Sequence, residues 1–462
     1  MRVAARSLPR RSGLYCMQAL ENRPYDELAI GETAALTREL ERLGPSGLEG
    51  DTIELQPGAS AWAGLLLSHL IETQLPGLGT IILTQTLTYG RPDTPSGAIT
   101  ATLAVREKRS DGHVVLDFQC SDPSGAILVH GWAEVVAPRE KLRRAASVSS
   151  SVKLHTPGAR YWAALEKAQG LPPIRTAVVH SVDEASLRGA VEAADAGLIV
   201  PILVGPAARI AQAAEAAGLP LGAFELIDVP HSHAAAEKSV ALVREGQVEA
   251  LMKGALHTDE LMGAVVASGS GLKTERRISH IFALDVPSYH KPLFITDAAI
   301  NIYPTLDDKR DIVQNAIELC VALGIDPPKV AILSATEMVH AKISSTVEAA
   351  ALCKMAERGQ ITGGLLDGPL AFDNAISKEA AAAKHIASSV AGDADILLAP
   401  DLESGNMIAK QLIYLAGADA AGLVLGARVP IMLTSRADGA LARVASCALA
   451  QIFIRSRLSR AL

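Results

Sequence analysis

The chain has 462 residues, 49% of them hydrophobic and 20% charged, with a formal net charge of −7. Those values exclude a disordered chain, supply apolar material for about three domain-sized units, and argue against a nucleic-acid partner. Aromatic residues are only 3%, so the cores must be packed from Ala, Val, Ile and Leu, and no apolar run reaches the roughly 18 residues of a membrane span.

At the start, Arg2, Arg6, Arg10 and Arg11 precede the first acid, Glu21. The pattern fits either an organelle-targeting segment or an upstream start codon with Met17 as the working start, and we take the second; no apolar h-region suggests secretion. Ala59 to Leu75, "ASAWAGLLLSHLIETQL", is apolar nearly all round and predicts a buried helix. From Thr80 to Val136, strand-like runs are separated by turns at Pro92-Asp93, Ser110-Asp111-Gly112 and Asp122-Pro123-Ser124-Gly125. We expect an antiparallel meander wrapped on the helix, an α+β unit.

Ala137 to Thr156, "APREKLRRAASVSSSVKLHT", is basic and Ser-rich and reads as a linker. From Arg175 onward, apolar runs such as "TAVVHS", "PILVG", "FELIDV", "KVAILSA", "ADILLAP" and "PIMLTS" lead into Ala-rich helical stretches. That alternation predicts a largely parallel sheet with helices on both faces, whereas "ISHIFALDVP" and "KPLFITDAA" adjoin without a helix and predict a hairpin. The shifts divide the chain into an extension (1–16), an N-terminal domain (17–138), a linker (139–160) and a C-terminal domain (161–462). Five widely spaced cysteines, Cys16, Cys120, Cys320, Cys353 and Cys447, form no CxxC and no Cys/His cluster. Reduced thiols in a cytoplasmic protein are the simplest expectation.

In an α/β sheet, ligands bind beyond the carboxyl ends of the strands, so polar strand-to-helix turns are the places to search. In "ALMKGALHTDELMGAVV", Ala250 to Val266, Lys253 with free backbone N–H groups can cradle an anion; Thr258 as N-cap followed by Asp259 and Glu260 explains the same residues as ordinary capping. In "ILLAPDLESGNMIAKQL", Asp401, Ser404, Asn406 and Lys410 cluster, with Ser404 as a cap the plainer alternative. In "PIMLTSRADGALARVA", Ser435 can cap a helix with Asp438 three residues on. Arg436 escapes that account: a cation in a first helical turn opposes the dipole unless an anion binds or an oxyanion forms there. "ERRISHIF" sets Arg276 and Arg277 just before a strand that begins near Ser279, and arginines grip phosphate bidentately. There is no GxGxxG after a strand, no Walker A and no GxSxG. His231 and His233 read as a helix N-terminal turn rather than a metal pair.

Six ordered segments, "PILVGP", "LMKGALHTDELMGAV", "RRISHIF", "ITGGLLDGPLAFDNAIS", "PDLESGNMIAKQL" and "VPIMLTSRAD", give the region from about Arg175 to the C-terminus its resemblance to the phosphate acetyl/butyryltransferases. The resemblance implies a two-lobed α/β fold similar to isocitrate dehydrogenase, a homodimer or higher homo-oligomer, and reversible transfer of a short-chain acyl group, acetyl or butyryl, between CoA and inorganic phosphate. It implies acyl-CoA and phosphate as the only partners, no cofactor, no metal and no membrane. Ser435 and Arg436 match the family's Ser-Arg pair at the tetrahedral oxyanion. Lys253, Thr258 and Arg277 would hold phosphate, Ser279 and Asn406 would join the substrate site, and Asp438 would be either the base for the CoA thiol or a helix cap.

The first 140 residues resemble the MaoC-like hot-dog enoyl-CoA hydratases through "ENRPYDELAIGETAALTR" and "YGRPDTPSGAITATLAVREK". That family's D-x-N-P-x-H stretch is missing: Leu40 to Trp62 contains Asp51 but neither Asn-Pro nor His. A degenerate, structural hydratase domain is expected. The alternatives are a bifunctional enzyme that keeps hydratase activity, a non-catalytic acyl-CoA-binding scaffold, and a metal- and NAD-dependent dehydrogenase using Asp297, Asp307, Asp308 and Asp311.

Overall fold

A computed structural model describes residues 20–40, 61–90, 97–109, 111–144, 159–222, 224–433 and 439–461. The chain divides into two compact units, Met1–Thr156 and Pro157–Leu462.

In the first unit, period-two patterning produces strands with one buried face. Val114, Leu116, Phe118 and Cys120 alternate inward along β5, while Asp117 and Gln119 face out. The elements are β1 (Leu20–Glu21), β2 (Thr33–Leu40), α1 (Ala61–Thr73), β3 (Ile81–Tyr89), β4 (Gly97–Lys108), β5 (His113–Ser121), β6 (Ile127–Val136) and β7 (Arg143–Arg144). Five of the strands form an antiparallel sheet in the order β2-β4-β5-β6-β3, and β1 pairs separately with β7. The predicted Asp122–Gly125 turn joins β5 to β6, with Gly125 N donating to Asp122 O at 2.9 Å. The predicted apolar helix is α1; Ala63, Leu66, Leu67, Leu70 and Ile71 are buried and share one core with the inner faces of β4, β5 and β6. The gap in the hydratase motif, including Asp51, falls mostly outside the described residues.

The second unit runs α2 (Ala159–Ala168), β8 (Ile174–Val179), α3 (Glu184–Asp195), β9 (Ile199–Gly205), α4 (Ala207–Ala217), β10 (Glu225–Asp228), α5 (Ser232–Arg244), β11 (Ala250–Lys253), α6 (Thr258–Val266), β12 (Ser279–Asp285), β13 (Leu293–Thr296), α7 (Leu306–Ala322), β14 (Lys329–Leu333) and α8 (Ser344–Glu357). It continues through β15 (Leu365–Leu370), α9 (Phe372–Ile376), α10 (Lys378–Ala383), β16 (Ile396–Leu398), α11 (Leu402–Tyr414), β17 (Asp419–Leu425), β18 (Ile431–Met432) and α12 (Ala440–Ala461). All its strands join one mixed sheet, β10-β9-β8-β11-β18-β17-β12-β13-β16-β14-β15. Parallel groups lie at both ends, and the antiparallel pairings are confined to β18-β17-β12-β13 in the middle. The predicted hairpin is the β12–β13 pair, Ile281↔Thr296 to Leu284↔Leu293. Small residues let helices approach closely: α12 buries an unbroken run from Val444 to Phe453, and Gln451 within it donates from Nε2 to Leu171 O at 3.0 Å.

Candidate active site

Two polar turns carry the predicted residues. The first follows β11. Lys253, 5% exposed, ends the strand, and its Nζ donates to Gly254 O at 3.4 Å. Gly254 N donates to Val179 O and Ala255 N to His180 O, both at 2.9 Å, which ties the turn to the end of β8. A Cβ on Gly254 would collide with the Val179 carbonyl oxygen and lie 2.7 Å from that of His180, so the chain must carry glycine here. His257, not Thr258, occupies the N-cap position of α6, without a side-chain bond; Thr258 is instead the first helical residue and half-buried, with Asp259 and Glu260 behind it. β18 runs parallel to β11 in the register Met252↔Met432, so the chain leaves β18 at the edge where Lys253 stands. The residues that follow Leu433, including Ser435, Arg436 and Asp438, lie outside the described residues.

The second turn joins β13 to α7. Asp297 accepts from the backbone N–H of Ala299 at 2.9 Å and Ile300 at 3.0 Å through Oδ1, and from Asn301 N at 3.2 Å through Oδ2. The Asn301 amide points its NH2 at Asp297 Oδ2 (2.5 Å) and Ile278 O (2.9 Å), and its oxygen accepts from Arg277 Nε at 2.6 Å. Asp297 and Asn301 are each only 2% exposed, whereas half of the Arg277 side chain is open. Arg277 is also held through its backbone: its N–H donates to Asp311 Oδ2 at 2.9 Å, and its carbonyl accepts from Asn315 Nδ2 at 2.9 Å. The same Asn315 amide donates to Ser279 Oγ at 2.8 Å, and Ser279 is 2% exposed, so this predicted substrate contact sits behind Arg277 as support. Asn406 donates from Nδ2 to Ala298 O at 3.0 Å, which brings α11 onto the same turn. That helix is capped by Asp401, which accepts from Ser404 N at 2.8 Å; Ser404 is not the cap.

Electrostatics follow from these contacts. Burial works upward on the Asp308 carboxyl, but the Thr305 amide and hydroxyl and the Arg277 charge outweigh it and hold the group below its ordinary value. Burial pushes the His280 imidazole well below its usual range; the Asp297 charge and a bond to the Leu433 backbone pull the other way and lose. The acids of the dehydrogenase alternative are engaged: Asp297 by three amides, Asp308 by the Thr305 capping box, Asp307 by Arg310, and Asp311 by Arg310 and Arg277 N. His231 caps α5, accepting from Ala234 N at 3.2 Å, as its sequence position predicts.

The structure thus joins Arg277, Ser279 and Asn406 in one network, with Lys253 and Thr258 on another turn. Their separation is set by register. Lys253 is level with Leu433, Gly422 and Phe282 across β18, β17 and β12. Arg277 lies five residues upstream of Phe282, about 16 Å along the strand at 3.3 Å per residue, with two further strands between. Arg277 thus stands at the end of β12 opposite to the level of Lys253, with β17 and β18 between their two strands. Asp297 entered the sequence reading only through the dehydrogenase alternative, and Asn301, five residues beyond the "PLFIT" strand, gave no local signal.

Known proteins bear on this geometry. The phosphate acetyl/butaryl transferase family matches residues 233–451. A phosphate acetyltransferase of Rhizobium meliloti is 63% identical over 298 residues, 64% of this chain and 94% of that protein. A phosphate butyryltransferase of Clostridium beijerinckii is 40% identical over 288 residues, 62% of this chain and 95% of that protein. Among solved structures, a branched-chain phosphotransacylase from Enterococcus faecalis V583 is similar with a TM-score of 0.54 and 29% identity, covering 61% of this chain and 99% of that one. The chain belongs to the phosphate acetyl/butyryl transferase family.

Proposed function

We propose that this chain transfers a short-chain acyl group reversibly between CoA and inorganic phosphate by direct attack in a ternary complex. The observation that carries the reading is 63% identity across 94% of a phosphate acetyltransferase. Acetyl is taken as the group transferred because it is the one named for that relative.

In this mechanism a phosphate oxygen bonds to the thioester carbon and the carbonyl electron pair moves onto oxygen. The pair returns as the C–S bond breaks, and CoA leaves as a thiolate that takes up a proton. Two anionic reactants must be held together, so fixed cations and donors carry the catalysis. Lys253 and Thr258 hold phosphate at the carboxyl edge of β11. Ser435 and Arg436, in the segment entered from β18, stabilise the oxyanion. Asp438 is the candidate for exchanging the thiol proton. On this reading the two parallel groups of the large sheet are the lobes of an isocitrate dehydrogenase-like fold. The enzyme acts in the cytoplasm as a homo-oligomer without a cofactor. The first unit, with one helix packed on a five-stranded antiparallel sheet, is a hot-dog domain kept for structure rather than hydration.

The test is thiol release from acetyl-, propionyl- and butyryl-CoA with and without phosphate. Phosphate-dependent release, fastest with acetyl-CoA, is expected. Folded protein that binds CoA but releases no thiol would make it a scaffold instead.

A further inference from the structure

Acyl transfer to phosphate moves a proton that the groups named so far do not accept. Hydrogen phosphate must shed its proton to end as an acyl phosphate, while the thiolate gains one at the far side of the reacting carbon. Lys253 is a cation with no acceptor and Thr258 is a hydroxyl, so neither residue beside the phosphate is a base. A neutral base is needed at the same strand edge.

His180 stands at that edge. It follows Val179, the last residue of β8, and Val179 is level with Lys253 on β11. The His180 carbonyl accepts from Ala255 N at 2.9 Å, which ties it to the Lys253 turn, and its own N–H donates to Val204 O at 2.7 Å. Its φ is +56°, a left-handed conformation uncommon for any residue but glycine and a form of strain that collects at functional sites. Glycines leave room for it on both sides: a Cβ on Gly205 would lie 3.4 Å from His180 Cα, and one on Gly254 would lie 2.7 Å from the His180 carbonyl oxygen. The residue is 5% exposed, and its ring makes no hydrogen bond among the described residues. Nδ1 is sealed without a partner, as is Oγ of the adjoining Ser181, so Nε2 is the nitrogen through which the ring can meet a substrate. Besides Lys253, the charged and titratable groups around the ring are Arg209 on α4, Asp183 ahead of α3, His231 ahead of α5 and Glu260 on α6. Burial, then the Arg209 charge, push the imidazole below its usual value and outweigh the two carboxylates, so the ring is neutral at neutral pH and free to accept a proton.

We propose that His180 is the general base that takes the proton from hydrogen phosphate as the phosphate attacks the thioester. The O–H bond breaks, its electron pair stays on phosphate, and the proton passes to Nε2. The imidazolium then returns that proton to solvent, while the departing thiolate takes up its own. This assignment rests on the acyltransferase reading and on phosphate lying at the Lys253 turn.

The experiment measures phosphate-dependent thiol release from acetyl-CoA by the full-length protein and its His180→Asn and His180→Gly variants, with and without added imidazole. Asparagine and glycine both accept a positive φ, so neither substitution forces the backbone. Each variant is expected to lose about a hundredfold or more in kcat, the usual share of a general base, with KM for acetyl-CoA and for phosphate within about twofold. Imidazole should enter the space vacated in His180→Gly and restore its rate about tenfold or more, increasingly as pH rises and more of it is neutral, and should leave wild type unchanged. A variant that keeps kcat within about threefold of wild type overturns the proposal, as does a loss confined to KM. So does a loss in His180→Gly that imidazole does not relieve, which would make His180 a support for the Lys253 turn. Wild type that releases no thiol with phosphate overturns the acyltransferase reading as well; an active wild type beside an undiminished His180→Asn overturns this assignment alone.

Discussion

The turn after β11 and the turn after β13 both end a strand and open a helix, yet they are built differently. The Lys253–Thr258 turn is local: Gly254 and Ala255 fasten it to the neighbouring strand end through backbone bonds, and Lys253 comes directly from the strand. The Asp297–Asn301 turn is a hub: its carboxylate gathers three amides of its own loop, and its amide and backbone reach Arg277, Ile278 and Asn406 on other elements. A local turn tolerates change in its side chains and fails through its backbone. A hub fails through one side chain.

The largest effect separates chemistry from scaffold. If Ser435 and Arg436 stabilise the oxyanion, Arg436→Ala or Ser435→Ala should lower kcat a hundredfold or more, about 3–4 kcal/mol in the barrier, with an unchanged melting temperature. Full turnover in either variant would move the reacting centre away from the β18 edge. Next comes the hub. Asp297→Ala orphans a buried donor on Asn301 and half-buried donors on Ala299 and Ile300, and with about 1–3 kcal/mol for a buried group left unsatisfied a stability loss of about 3 kcal/mol in urea unfolding is expected. A loss under about 1 kcal/mol would show that water replaces the carboxylate and that the turn is no hub.

The local turn should fail more mildly and through a methyl group. Gly254→Ala drives a Cβ into the carbonyl oxygens of Val179 and His180, which are backbone and cannot rotate away. We expect about 2 kcal/mol of destabilisation from overpacking, read as a lower urea midpoint. Thr258→Ala, half-buried in the same turn and outside the cap position, should leave the midpoint nearly unchanged.

These contrasts also explain what could be read from residues alone. Patterns that repeat within a few positions were legible: the inward alternation of β5, the apolar helix α1, the β12–β13 hairpin and the His231 cap. The Lys253 turn was legible because strand, turn and helix follow one another, although the cap fell on His257. Asn301 was not, since its partners lie 23 and 24 residues upstream. The separation of Lys253 from Arg277 was least legible of all. It is set by β17 and β18, which enter between β11 and β12 from more than a hundred residues later. Proximity in a cleft therefore had no signature in the spacing of either motif.

The smallest effect tests whether the middle of the sheet is as dry as the hub beside it. His280 lies between the two turns on β12, buried at 1% exposure, and Thr296 Oγ1 donates to its carbonyl at 2.8 Å. Burial lowers its folded pKa below the unfolded value, so the unfolded chain binds the proton first as pH falls. The stability held by the neutral imidazole is fully present above the unfolded value of about 6.5 and drains away as pH drops toward the folded pKa. Between about pH 6.5 and 5.5 the expected loss from this one group is about 1 kcal/mol. Urea midpoints across that interval measure it, with His280→Gln as the reference that lacks the titrating ring. Parallel pH profiles for the two proteins would mean that His280 takes its proton in the folded state, and that solvent reaches the sheet between the turns.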